Sequence, residues 1–528
     1  MKRSALPLLV LLAGCAGDRP EGSTLDVTVV GLDAETTAVG GQVAGPLARR
    51  MADELTATTL IERDDAGQLV GGLASSWRFV DSGQSLILRL RPIKWSDDKP
   101  LVADDVVAGF RRAAAPPAPQ RAFRLAGLVG AEAVARAAGG SRSARQLGVM
   151  APTSRVVEFR LDAPSPLLLE WLAEPGMSVR RPGAPTLARY ARQAPVEGDA
   201  TTVLQRRAMT ASPEARPAEV RIHSVAATDV ETAVAAFRDG KTDIVVGEGL
   251  AGLFAARIGS RREALQVEPL HGVYGWRINS RSGPLVDVAL RRALSASIDR
   301  DGLARSFATP AIAPQGGILP AALRGGAAVT APAPVDETAP NGAAPNGAAN
   351  AASDTAPVAE SPLAPPMTLA PPAPVVLRLL VRPGREHAAV AERVAVDWRP
   401  LGIVLQLQIV DANMMRGLIE KGDYDLALDD RSLAVADAAA LLDRFRCTRT
   451  GYCNEAADAA LVAARMLAPD QRAAALAQAE ALLMAAPPFI PLFTAARWAL
   501  VSPTLYGWVA NPSGVHPLAR IGRGRPER

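Results

Sequence analysis

Asp429, Asp430 and Arg431 stand in succession, two carboxylates beside a guanidinium. A carboxylate pair can share acid–base work when its surroundings split the two pKa values, but adjacent acidic side chains are more often solvated charges. Nothing in the chain supplies a partner for them: no G-x-S-x-G elbow and no paired nucleophile and base are present. His223, His271, His387 and His516 are scattered, with no H-x-x-x-H or C-x-x-C spacing. The residues therefore indicate no metal site and no cofactor, and the chain is not expected to be an enzyme.

The cysteines sort by position. Lys2 and Arg3 precede the short apolar run Ala5–Leu12, and Leu12-Ala13-Gly14-Cys15 matches a bacterial lipobox. This predicts a signal peptide over 1–14, cleavage before Cys15 and lipidation of its thiol. The apolar run is too short to span a bilayer as a mature helix. Cys447 and Cys453 remain, in CTRTGYC. An oxidising compartment makes a local disulfide the leading reading, with free thiols the alternative.

The elements that must position these groups follow from pattern. The chain has 528 residues and is 48% hydrophobic, enough for two to four domains with sizeable cores. With 58 basic and 54 acidic residues, and no basic run interleaved with aromatics, nucleic acid is not an expected partner. Leu86, Leu88 and Leu90 alternate with Ile87, Arg89 and Arg91 as in a half-buried strand. A turn, Trp95-Ser96-Asp97-Asp98-Lys99-Pro100, leads to a helix with Asp104 and Asp105 in its first turn. Further on, the pattern predicts strand 376–381, helix 387–401, strand 402–409, a short helix through Met415 and Ile419, and a last strand in the stretch 422–428. That alternation implies parallel strands with helical crossovers. Residues 324–374, Ala- and Pro-rich with the near-repeat APNGAAPNGAANAA, read as a disordered insertion.

Several of these words occur together elsewhere. LASSW at 73–77, LRLR at 88–91, KWSD at 94–97 and ADDVVAGF at 103–110 resemble, in order, the N-terminal signature of family 5 solute-binding proteins, the dipeptide- and oligopeptide-binding components of ABC importers. Asp98 stands where that family usually carries Gly, a turn position that Asp tolerates at positive φ. Asn279, Gly283-Pro284-Leu285-Val286-Asp287, Arg291-Arg292-Ala293-Leu294 and Ile298-Asp299-Arg300 resemble the passage between lobes. Leu290, Leu294 and Ile298 would bury one helix face there, with Arg291 and Arg292 beside it. Leu401-Gly402-Ile403 and Gly422-Asp423-Tyr424-Asp425-Leu426 are further landmarks, and Val501–Trp508 resembles the family's returning strand.

The resemblance implies an α/β protein of the two-lobed periplasmic-binding-protein type II fold, with a hinge and an extra subdomain. The implied division is tether and start of lobe I at 15–45, extra subdomain at 46–165, lobe I at 166–275, lobe II at 276–497 and return to lobe I at 498–528. It places Asp33 and Glu35 on a loop facing the ligand cleft, with a solvated acidic loop as the alternative; Tyr274 and Trp276, with Asn279 beside them, are the residues set nearest the ligand, or else belong to the core. Peptide-binding members carry a Trp and then an Asp that receives the α-ammonium; Ala434 falls at the Asp position here, leaving Asp429 or Asp430 as a substitute and Arg431 to meet a carboxylate. The implied function is a lipid-anchored, monomeric binding protein of the cell envelope that passes a peptide or peptide-like solute to an inner-membrane ABC permease. The eroded motifs leave a second reading, a relative kept as an envelope receptor or scaffold without transport.

Overall fold

The computed structural model describes residues 24–31, 45–114, 127–131, 147–165, 167–183, 186–194, 200–207, 217–324, 374–450, 452–464, 467 and 469–524. Cys15, Asp33, Glu35 and the interior of the 324–374 insertion lie outside them.

Sixteen of the strands among the described residues carry the architecture. In chain order they are β1 (Thr24–Val30), β2 (Ile61–Arg63), β3 (Leu69–Gly71), β4 (Ala74–Val80), β5 (Ser85–Leu90), β6 (Val149–Thr153), β7 (Val156–Arg160) and β8 (Tyr190–Arg192). They continue as β9 (Thr201–Arg206), β10 (Glu219–Val225), β11 (Ile244–Gly247), β12 (Leu265–Ile278), β13 (Val375–Val381), β14 (Ile403–Ile409), β15 (Leu426–Leu433) and β16 (Phe489–Val501). Ten of them form one sheet in the order β14-β13-β15-β12-β16-β11-β1-β10-β9-β8.

Two long antiparallel strands join the halves of that sheet. Leu265–Pro269 of β12 pair with Ala496–Leu500 of β16, and β11 lies against the same end of β16. A register shift between Pro269 and Val273 follows, after which Val273–Arg277 pair with Phe489–Thr494 and β15 flanks β12. One end of this ribbon thus belongs to the half built on β1, and the other to the half built on β13. The shift interrupts the ladder between them, as a bulge does.

Within each half, strands run parallel: β1 with β10 and β11, and β13 with β14 and β15. The crossover helices include Val230–Arg238, Arg385–Trp398 and Ala412–Lys421. Local chemistry sets their ends. Asp411 accepts the N–H of Met414 at 2.8 Å and so caps the helix that follows. Gly402 and Gly422, at φ 70° and 73°, end helical segments in the left-handed region where a Cβ is costly. This is the physical content of the LGI and GDYDL words.

The extra four-stranded sheet, β4-β5-β7-β6, has its own core. Leu86, Leu88 and Leu90 face inward against the helix Ala103–Ala114, where the Phe110 ring meets Phe159 edge-on at 5.0 Å. Asp105 ties the turn to that helix by accepting from Trp95 Nε1 at 2.9 Å. Asp98 sits at φ 62°, the conformation its family position requires.

Two local expectations need correction. The returning strand is Phe489–Val501, because its apolar run stays buried throughout; only Leu505–Tyr506 of the stretch 502–508 is strand. Arg291 does not ride on the helix surface. It is buried and donates to the carbonyls of Leu285 and Ala486, fastening the helix Val288–Ala296 to the chain before β16.

Candidate functional site

A cavity of about 840 Å³ lies between the two halves of the large sheet. Gly31 and Glu248, which directly follow β1 and β11, and Pro46, which opens the helix Pro46–Thr56, form one wall. The other wall comes from Arg382 after β13, the helix Ala412–Lys421, Leu428–Arg431 of β15, and Arg277, Arg281 and Tyr424. Cys447 and Thr448 close one side. The cavity sits at the carboxyl ends of parallel strands, where open α/β sheets place their ligands.

The walls are charged. Five arginines line the cavity (277, 281, 382, 416 and 431), against four carboxylates (248, 420, 429 and 430). Asp429 is the centre of one cluster: Arg277 Nη2 lies 3.3 Å and Arg431 Nε 3.5 Å from its carboxylate, and Arg444 contacts it from behind. Burial, with Arg277 close by, pushes the Arg444 guanidinium down to about 9. Arg444 Nη1 is buried without an acceptor among the described residues.

Asp430 pairs with Arg382 Nη2 at 3.6 Å and points across the cavity to Gly249. Burial raises its pKa, with Arg382 and Arg431 partly offsetting this. Glu248 is structural in part, accepting the Leu47 N–H at 2.9 Å at the start of its helix.

The sequence-derived residues divide. Asp429, Asp430 and Arg431 come together on the cavity wall. Tyr274 and Trp276 lie in the core, each about 1% exposed, and are not among the residues lining the cavity. The Tyr274 ring stacks on Phe493 at 4.4 Å and its hydroxyl bonds to His387 Nδ1 at 2.8 Å; Trp276 meets Trp398 edge-on at 5.5 Å. Asn279 is buried too, donating to the carbonyls of Gly422 and Tyr424. Cys447 and Cys453 are bonded to each other beside the cavity. Among the described residues no group of three or more His, Cys, Asp and Glu side chains is placed to hold a metal.

Sequence reasoning missed Arg277, Arg382, Arg444 and Glu248. The one available signal was position: Arg382 and Glu248 each stand one residue beyond a parallel strand. Arg444 carried no signal, since it reaches Asp429 only through tertiary packing.

The chain resembles known proteins in sequence and in fold. The profile of the bacterial extracellular solute-binding proteins, family 5 (middle region), matches residues 68–452. The probable deoxycholate-binding periplasmic protein YgiS of Escherichia coli (strain K12) is 34% identical over 120 residues, 22% of each chain. The periplasmic murein peptide-binding protein MppA of the same strain is 22% identical over 473 residues, 86% of this chain and 85% of that one. The structure of the Escherichia coli murein tripeptide binding protein MppA superposes with a TM-score of 0.71 at 19% identity, covering 96% of this chain and 99% of that one. Burkholderia pseudomallei OppA gives 0.72 at 18% identity, covering 95% and 99%. The fold is accordingly the two-lobed type II periplasmic-binding-protein fold. With the profile matching well over half its length, the chain belongs to family 5 of the bacterial extracellular solute-binding proteins.

Proposed function

We propose that this protein captures a peptide or peptide-like solute between its lobes and delivers it to an ABC permease of the inner membrane. The observation that carries the reading is the cavity of about 840 Å³ with walls from both lobes, a size that suits a short peptide. A ligand that touches both walls favours the state in which they are together, so binding and closure are linked. The β12–β16 ribbon, with its register shift at 269–273, is where the lobes would bend. Lipidation at Cys15 would hold the monomer at the envelope. Relatives named for murein peptide and oligopeptide binding support the solute class.

The second reading, a receptor or scaffold that no longer delivers solute, is favoured by residue 434. The family's ammonium-receiving Asp is Ala434 here, and its carbonyl accepts from Arg63 Nη2 at 3.2 Å, tying that loop to the β2 hairpin. Mass spectrometry of small molecules released on denaturing the purified full-length chain, paired with thermal unfolding, tests both. A released peptide that restores stability, by about 2.7 kcal/mol at a hundred times its dissociation constant, supports capture. No released solute and no shift across a peptide panel would leave the scaffold.

A further inference from the structure

The register shift in β12 is not bare. His271, inside it, donates its backbone N–H to the carbonyl of Pro512 at 2.8 Å, so a segment from near the end of the chain lies against the bend. The same segment is fastened beside the shift. Glu268 is buried; its carboxylate accepts the N–H of Asn511 at 3.1 Å and pairs with Arg497, opposite it in the ladder, at 2.8 Å. His516 Nε2 lies 3.0 Å from that carboxylate, and its ring stacks on Trp508. The Asn511 side chain holds the segment's shape by donating to the carbonyls of Val509 and Val515.

The extra subdomain completes a ring around the bend. Its β2–β3 turn comes so near that a Cβ on Gly67 would lie 2.9 Å from Asn511 Oδ1. Arg63, in that hairpin, has a side chain only 7% exposed, held by Glu170 at 2.6 Å and by the Gly67 carbonyl at 3.0 Å. Its remaining bond leaves the subdomain: Nη2 donates at 3.2 Å to the carbonyl of Ala434. Ala434 follows Leu433, the ladder partner of His271, and so belongs to the half built on β13. The subdomain is instead bonded to the half built on β1, through Arg50 and Glu174 at 2.9 Å. When the lobes part, Ala434 travels with β15 while Arg63 stays with Glu170. A hydrogen bond weakens steeply as its angle falls, so the short travel near a pivot is enough to loosen it, and a largely buried guanidinium is left short of an acceptor.

We propose that the β2–β3 hairpin and the segment Trp508–His516 form a clasp across the hinge, which biases the solute-free protein toward the closed arrangement and gives the extra subdomain a part in that equilibrium. The inference rests on bending at the β12–β16 ribbon, as proposed above, and holds for either reading of the solute. A closed state already populated before the solute arrives raises the apparent affinity in proportion to its fraction.

Pulsed EPR of the full-length chain in detergent, stripped of solute in guanidinium and refolded, tests this. Spin-labelled p-acetylphenylalanine replaces the exposed Ile258 in one lobe and Ile409 in the other. With no further change, a single closed population is expected. Arg63→Gln should raise the ratio of open to closed about tenfold, the weight of one hydrogen bond to a charged group. Asn511→Ala, which loosens the segment without touching Arg63, should shift it the same way, and decides alone should Arg63→Gln not fold. Gly249→Val, which presses on Asp430 where the walls meet, is the control for bending. Unchanged distances in the folded Arg63 and Asn511 variants, with longer ones in Gly249→Val, overturn the clasp and leave the hinge standing; a lowered melting temperature alone would then mark Arg63 as structural. Unchanged distances in all three remove the hinge as well. A protein that is open before either substitution also overturns the clasp.

Discussion

Asp430 of one lobe approaches Gly249 of the other so closely that a Cβ at 249 would sit 2.6 Å from the Asp430 Oδ2 atom. A side chain at 249 would press on the Asp430 carboxylate, which would have to move for the walls to meet there. Gly249→Val is expected to hold the lobes apart. Small-angle X-ray scattering should report a larger radius of gyration for the variant, and affinity for any co-purifying solute should drop at least tenfold. An unchanged scattering profile would show that the lobes close elsewhere.

Asp429→Asn leaves three guanidiniums without their shared anion. Removing one partner of a buried ionic cluster typically costs about 3–5 kcal/mol, and urea unfolding should show a loss in that range. A change below about 1 kcal/mol would mean that solvent already screens the cluster.

Glu386 binds the lobes together at a second point. Its carboxylate accepts the N–H groups of Gly252 and Phe254 at 3.0 and 2.7 Å, at the start of the helix Leu253–Gly259 in the opposite lobe. Glu386→Ala orphans one buried and one part-buried donor, and the buried one alone costs about 1–3 kcal/mol. A matching fall in unfolding free energy, read with circular dichroism, is the expected result.

Acid should destabilise the fold in two stages. Burial lowers the pKa of His271, His387 (to about 3) and His516 from the ordinary value of 6.5, more than Glu170 or Glu268 raises those of His271 and His516. These groups favour folding when neutral. Their contribution is full above pH 6.5 and is lost as pH falls below it, by up to about 1.4 kcal/mol per pH unit for each histidine. Glu268 comes next. Despite its burial, Arg497 and His516 hold its carboxyl down to about 2, so its contribution is present above its ordinary 4.5 and is lost as pH falls from there toward 2. A stability profile that stays level from pH 7 to 5 would contradict the histidine stage.

Trp276→Ala separates core from cleft. With Trp276 packed on Trp398, truncation should cost about 3–5 kcal/mol, while peptide affinity, measured below the variant's melting temperature, stays within threefold. A selective loss of affinity at unchanged stability would return Trp276 to the ligand.

Much of this was readable from the chain because local rules and fold agreed. Leu86, Leu88 and Leu90 declare a strand and are buried, and Asp98 takes the left-handed turn its position demands. The parallel order of β13, β14 and β15 follows from alternating strand and helix patterns. The cleft was legible only where charge sits on one stretch, at 429–431. Tyr274 and Trp276 show why the rest was not: alternate residues of a strand share a face, and nothing local says whether that face meets a ligand or a second layer. Arg444 and Glu386 act through partners 15 and more than 130 positions away. No spacing rule reaches that far.

The ribbon at the centre of the molecule has one further consequence, for the order in which the protein is made. β16 lies between β12 and β11 in the large sheet, yet it is the last long strand of the chain. Until residues 489–501 leave the ribosome, five strands on one side and four on the other have no edge to share. Early folding from the N-terminus, common in modular proteins, can complete only the four-stranded subdomain here. The nascent chain stays open at its middle until nearly the end of translation.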